Sequence, residues 1–210
     1  MSWFRRRLGF ERVLGVGLLA VSACRAPAPE GPRVIQPKYD EQTGKLKQLQ
    51  YDADRNGKVD TISYMDGARI LRIEIDRDED GKVDRWEHYG ADQKLEKVGV
   101  SRSGDGIEDA WSYAGPDRQI VRIEISTRRD GRISRIEHYQ GEQLSSAEED
   151  TDADRAIDRW ETFDSGRLTM VSFDSTHRGK PDRRLVYAAD GSVRVEIDPS
   201  GAGNWTAERR

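Results

Sequence analysis

The segment Asp76-Arg77-Asp78-Glu79-Asp80-Gly81-Lys82-Val83-Asp84-Arg85-Trp86-Glu87 constrains the whole chain, because weaker copies of it return every 24 or 25 residues. It reads D-x-D-x-D-G-x-V-D-x-x-E. The sixth position is filled in successive copies by Gly57, Gly81, Gly106, Gly131, Arg155, Gly179 and Gly203. A fixed period of this size means that one supersecondary unit is stacked on the next.

Between the acidic segments the hydrophobic rhythm is two. Leu71, Ile73 and Ile75 alternate with Arg72 and Glu74; Val121, Ile123 and Ile125 alternate with Arg122 and Glu124; Val193, Val195 and Ile197 alternate with Arg194 and Glu196. Each run reads as a half-buried strand with one charged face. A second strand follows each acidic loop, with Ile62, Trp86, Trp111, Ile136 or Trp160 at loop position 11. Asp66-Gly67, Ser165-Gly166 and Asp190-Gly191 are turn pairs of the kind short hairpins favour. The expected fold is all-β: an antiparallel meander of about six 24-25-residue β-hairpin repeats over residues 38-210. Its acidic loops fall on one end and its short turns on the other. A sheet with one apolar face needs cover, so it is expected to curl into an open barrel, a sandwich or a spiral sheet.

The strongest acidic copy resembles the calcium loop of an EF-hand, with oxygen ligands at positions 1, 3, 5, 9 and 12 and glycine at 6. No amphipathic helix flanks it, so the likeness is to the loop alone. It implies calcium ligation by Asp76, Asp78, Asp80, Asp84 and Glu87. A second set is Asp52, Asp54, Asn56 and Asp60, where Ser63 replaces the final glutamate. A third is Asp150, Asp152, Asp154, Asp158 and Glu161, with Arg155 at the glycine position. The bland alternative is a solvated turn, for which Asp, Asn and Gly are equally suited. Glu87 and Glu161 neighbour Trp86 and Trp160 on a strand, so an inward tryptophan turns the glutamate away from the ion.

The first residues differ from everything after them. Arg5-Arg6-Arg7 precede an apolar run from Val13 to Val21, which is too short to span a bilayer and is proportioned as a signal peptide. The run ends in Val21-Ser22-Ala23-Cys24, which resembles a bacterial lipobox and contains the single cysteine of the chain. That resemblance implies a signal peptide at 1-23, acylation of Cys24, and a lipid anchor holding the protein on a membrane. Arg25 after the cysteine resembles the sorting pattern of outer-membrane lipoproteins, so the expected place is the cell envelope, facing periplasm or surface. Residues 24-37 are Pro-rich and read as a tether.

Net charge is -4 with charge of both signs spread along the chain, which leaves no basic footprint for nucleic acid. No Ser/His/Asp or Cys/His nucleophile set, phosphate-binding loop or dinucleotide glycine pattern occurs. His88 and His138 share one repeat position two units apart and read as strand residues. Tyr187-Ala188-Ala189-Asp190-Gly191 and Tyr51-Asp52-Ala53-Asp54 are similar to YD-type hairpin repeats of bacterial surface proteins, a likeness that implies architecture and no activity. The expected function is a non-catalytic structural or interaction module of the envelope, stabilised by calcium, with an envelope protein or peptidoglycan as partner. The alternative is a glycan-binding protein presenting Trp86, Trp111 and Trp160 as an aromatic face.

Overall fold

The computed structural model describes residues 34-208, which lie in one compact unit beginning at Pro32. The expected signal peptide, Cys24 and most of the expected tether lie outside the described residues. The strands are β1 (Ile35–Tyr39), β2 (Leu46–Tyr51), β3 (Thr61–Asp66), β4 (Arg69–Ile75), β5 (Arg85–Tyr89), β6 (Leu95–Val100), β7 (Ala110–Ala114) and β8 (Ile120–Ile125). They continue as β9 (Arg135–Gln140), β10 (Gln143–Glu149), β11 (Arg159–Asp164), β12 (Arg167–Phe173), β13 (Arg183–Tyr187), β14 (Val193–Ile197) and β15 (Thr206–Ala207). All 15 form one antiparallel sheet in chain order.

The sheet does not close, since β1 and β15 are its free edges. The boundary expected at residue 38 moves back to Ile35, because β1 begins inside the expected tether. Pro37 is accommodated there as an edge strand accommodates proline, with its missing N–H on the unpaired side. The array also extends beyond six units at both ends, giving seven acidic loops along one margin.

Short connections follow their chemistry. Ser165 and Gly166, between β11 and β12, have φ of 51° and 76°, and a two-residue turn with both residues left-handed matches the twist of the strands it joins. Six hairpins carry a bulge at one repeat position, skipping Lys47, Leu71, Glu96, Val121, Ser145 and Thr169 on the second strand. An extra residue there increases local twist. Just beyond the bulge each hairpin carries an apolar or aromatic pair, such as Met65 with Ile70, Tyr89 with Leu95 and Phe163 with Leu168.

Register explains why the sheet stays open. Directly paired residues share a face, and the chain of pairs runs Ile62, Glu74, Trp86, Gly99, Trp111, Glu124, Ile136, Glu148, Trp160. On the opposite face Ile73 pairs with Glu87, Ile123 with Glu137 and Ala147 with Glu161. The two strands of each repeat are thus out of phase. The charged face of one lies beside the apolar face of the next, and neither side of the sheet is apolar throughout. Only Trp86, Ala110, Ala147 and Val171 are buried apolar side chains among the described residues.

The charged rows are tied laterally instead. Arg135 reaches Glu137 at 2.9 Å, Glu149 at 3.1 Å and Glu161 at 2.8 Å, spanning β9, β10 and β11. Tyr139 donates to Glu137 at 2.8 Å, as Tyr89 donates to Glu87 at 2.9 Å. On the other face Arg72 lies over the Tyr64 ring and Arg122 over the Tyr113 ring, each arginine also bonded to a glutamate. Burial, reinforced by the bond to Glu137, pushes the Tyr139 hydroxyl up to about 12 from an ordinary value of 10.0. A group raised in the folded state stabilises fully below its unfolded value and loses that contribution as pH rises through the folded one. Wild type is therefore expected to lose roughly 1–2 kcal/mol more than Tyr139→Phe between pH 10 and 12, read from urea midpoints across that interval.

Candidate metal centre

The seven loops cover residues 52-60, 76-84, 101-109, 126-134, 150-158, 174-182 and 198-205. Two side-chain brackets recur in them. The position-1 oxygen accepts the backbone N–H of position 6: Asp52 from Gly57 at 2.9 Å, Asp76 from Gly81 at 2.9 Å, Ser126 from Gly131 at 3.2 Å and Asp150 from Arg155 at 3.1 Å. Asp174 and Asp198 repeat this with Gly179 and Gly203. The position-9 oxygen accepts the N–H of position 2: Asp60 from Ala53 at 2.6 Å, Asp84 from Arg77 at 2.8 Å, Asp109 from Arg102 at 3.0 Å and Ser134 from Thr127 at 3.0 Å. Asp158 and Asp182 do the same for Thr151 and Ser175.

These bracket residues are among the most buried side chains in the molecule. Asp109 and Ser126 are 0% exposed and Asp198 is 1%. The bend that lets one oxygen reach so many donors comes from positive φ at positions 4 and 6, for example Glu79 at 57° and Gly81 at 90°. Arg155 takes the same conformation at 79°, so the turn forms there without glycine.

The structure brings together part of each expected ligand set. Asp76, Asp78 and Asp84 have carboxylate oxygens within 4.8 Å of one another, as do Asp150, Asp152 and Asp158. These clusters could hold a metal ion. The remaining expected residues go elsewhere. Asp80 accepts from the backbone and the ammonium of Lys82, at 2.8 and 3.1 Å, and that lysine lowers its pKa. Glu87 lies out on the strand, bonded to Arg85 at 2.9 Å and Tyr89, because two-residue periodicity turns it to the face opposite Trp86. Glu161 is held likewise by Arg135 and Arg159. In the first copy Asp52, Asp54 and Asp60 do not converge. Asn56 donates from its amide to Asp54 at 3.1 Å and across to Glu79 at 2.5 Å, occupying the place an ion would bridge. Asp154 stands apart from Asp150 and Asp158 and faces His177 of the next loop.

Loops that have lost acidic residues are joined by arginine. Arg129 binds both Asp105 and Asp109, and its guanidinium holds the Asp105 carboxyl down to about 2. Arg128 donates to the carbonyls of Asp150 and Thr151 at 3.4 and 3.0 Å, and Arg178 to the carbonyl of Pro199 at 2.8 Å. A cation fixed to the chain thus does in these loops what a bound cation would do in the acidic ones. The sequence signal was arginine at loop positions 3 to 5 in the copies where aspartate is missing.

The aromatic row is largely committed to the sheet. Trp86 exposes 6% of its surface, while Trp111 donates to Glu108 at 2.8 Å and is overlain by Lys97. Gly99 opposite Trp111 leaves the room that Glu108 fills, since a Cβ there would sit 1.9 Å from the Glu108 carboxylate.

Fold and loops together define an open antiparallel hairpin array bearing acidic clusters with the ligand chemistry of a metal ion. The chain matches no protein-family model, and no curated protein matches it. A left-handed non-glycine residue costs about 1–2 kcal/mol, offset partly by the greater unfolded-state freedom of glycine. Arg155→Gly is accordingly expected to raise stability by roughly 0.5–1 kcal/mol, measured as a shift in the urea midpoint.

Proposed function

We propose that the protein is a lipid-anchored envelope protein whose sheet is a non-catalytic structural or interaction module, stabilised by calcium in its acidic loops. The observation that carries the metal reading is at Asp76. Its Oδ2 accepts from Gly81, but its Oδ1 is buried and has no hydrogen-bond partner. An ionised carboxylate oxygen withdrawn from water without a donor is costly, and a hard cation shared with Asp78 and Asp84 removes that cost. A hollow of about 180 Å³ lined by Asp60, Glu74, Asp76 and Lys82 adjoins this loop.

Calcium suits this set better than a softer ion because every group offered is a carboxylate. The ion would neutralise repulsion within the loop and draw its two strands together. The anchor rests on the Arg-rich start, the short apolar run and Cys24, and the envelope setting rests on the anchor. An envelope protein or peptidoglycan is the partner such a setting offers.

The test is thermal unfolding of the full chain in millimolar calcium and then in excess chelator. A ligand at one hundred times its dissociation constant adds about 2.7 kcal/mol, which raises the midpoint by roughly 5–10 °C for a chain of this size. Asp76→Asn combined with Asp84→Asn is expected to reduce the shift markedly, and an unchanged wild-type midpoint in chelator sinks the calcium reading. Separately, Cys24→Ser is expected to move the protein from the membrane to the soluble fraction and to stop incorporation of labelled palmitate.

A further inference from the structure

Each of the three histidines of the chain lies beside carboxylates, but one of them does so differently. His88 and His138 are strand residues and each makes a hydrogen bond to one glutamate, Glu108 at 2.6 Å and Glu148 at 3.1 Å. His177 belongs to the sixth loop. Its Nδ1 stands 3.6 Å from Asp152 Oδ2 and 3.6 Å from Asp154 Oδ2, both on the fifth loop. Those separations are too long for hydrogen bonds. They match the edge of a coordination tetrahedron, about 3.4 Å for metal–ligand bonds near 2.1 Å.

We propose that His177, Asp152 and Asp154 form a site for a divalent transition-metal ion of the zinc type, bridging the fifth and sixth loops. An imidazole nitrogen with two carboxylates is the donor set that such ions prefer, whereas calcium takes oxygen. The three ligand atoms already lie within 4.8 Å of one another. Asp152 and His177 also line a hollow of about 560 Å³ with Thr151, Phe173, Ser175 and Arg183, so water can complete the coordination from that side. The ion takes the place between these two loops that Arg128 and Arg178 take at the neighbouring seams. Because the site draws on two loops, zinc would clamp them to each other, while an ion at Asp76, Asp78 and Asp84 acts within one loop.

The site shares Asp152 with the Asp150, Asp152 and Asp158 cluster but nothing with Asp76, Asp78 and Asp84, on which the calcium reading rests, and the experiment separates it from that set. The full chain, stripped with chelator and dialysed, is titrated with zinc chloride by calorimetry, first without calcium and then with it. One equivalent is expected to bind in both buffers. His177→Ala and Asp154→Asn should each weaken binding about tenfold or more, while Asp76→Asn leaves it unchanged. His177 is 57% exposed, so its variant keeps the fold, which far-ultraviolet circular dichroism verifies and the Asp154→Asn variant checks independently. The calcium-dependent rise in melting temperature should survive in His177→Ala. Zinc binding equal to wild type in His177→Ala, or its loss in His88→Ala instead, overturns the assignment, as does the absence of any binding heat.

Discussion

The bond from a loop side-chain oxygen to a backbone N–H of the same loop is what the rest of this structure depends on. The loops turn their amides inward through left-handed residues, and six of the seven supply a receiving oxygen at position 1 and six at position 9. Hydrogen bonds to a charged group contribute roughly 1.5–3 kcal/mol, more than a neutral pair. With so few apolar side chains buried, these brackets fix where one hairpin ends and the next begins, and so keep the strands in register. The most deeply buried side chains among the described residues are Asp109, Ser126 and Asp198, where a compact domain would have leucine or valine.

The out-of-phase register follows from the same constraint. A nine-residue crossing fixed by two brackets delivers the next strand with Arg85 opposite Ile75 and Trp86 opposite Glu74. Both faces become mixtures of aliphatic, aromatic and ionic rows, and each row is sealed by neighbours within the same layer. Arg135 with its three glutamates and the arginine-capped tyrosines do laterally what a second layer does in a sandwich. A single layer wetted on both sides is then a consistent solution, and the free edge at β1 carries Pro37, which opposes addition of a further strand.

Much of this was legible in the residues. The repeat, the strand-turn-strand-loop unit and the gathering of acidic loops at one margin follow from period and from Asp-Gly chemistry alone. Two-residue alternation was enough to suspect Glu87 and Glu161 as ligands, and both are held by arginines on the strand. The phase between consecutive strands was not legible, because it depends on the path of the loop between them. Nor was the exchange of aspartate for arginine, since Arg128, Arg129 and Arg178 look like ordinary surface charge until their partners on the adjacent loop are seen. Asp80 has a local partner that spacing did not reveal: Lys82, two residues on, donates to its carboxylate at 3.1 Å.

Chain-order pairing has a mechanical consequence. Strand i touches strand i+1 and no other, so tension applied between residues 34 and 208 acts along the interstrand hydrogen bonds and across the strands. Those bonds give way one at a time, as in a zip, and not all together, as in a sheared clamp. The sheet would therefore lengthen in steps of one hairpin under small loads and re-form the same way. Arginine ties between adjacent loops sit at the one margin where each step begins, so they set how much force the hairpins they join bear.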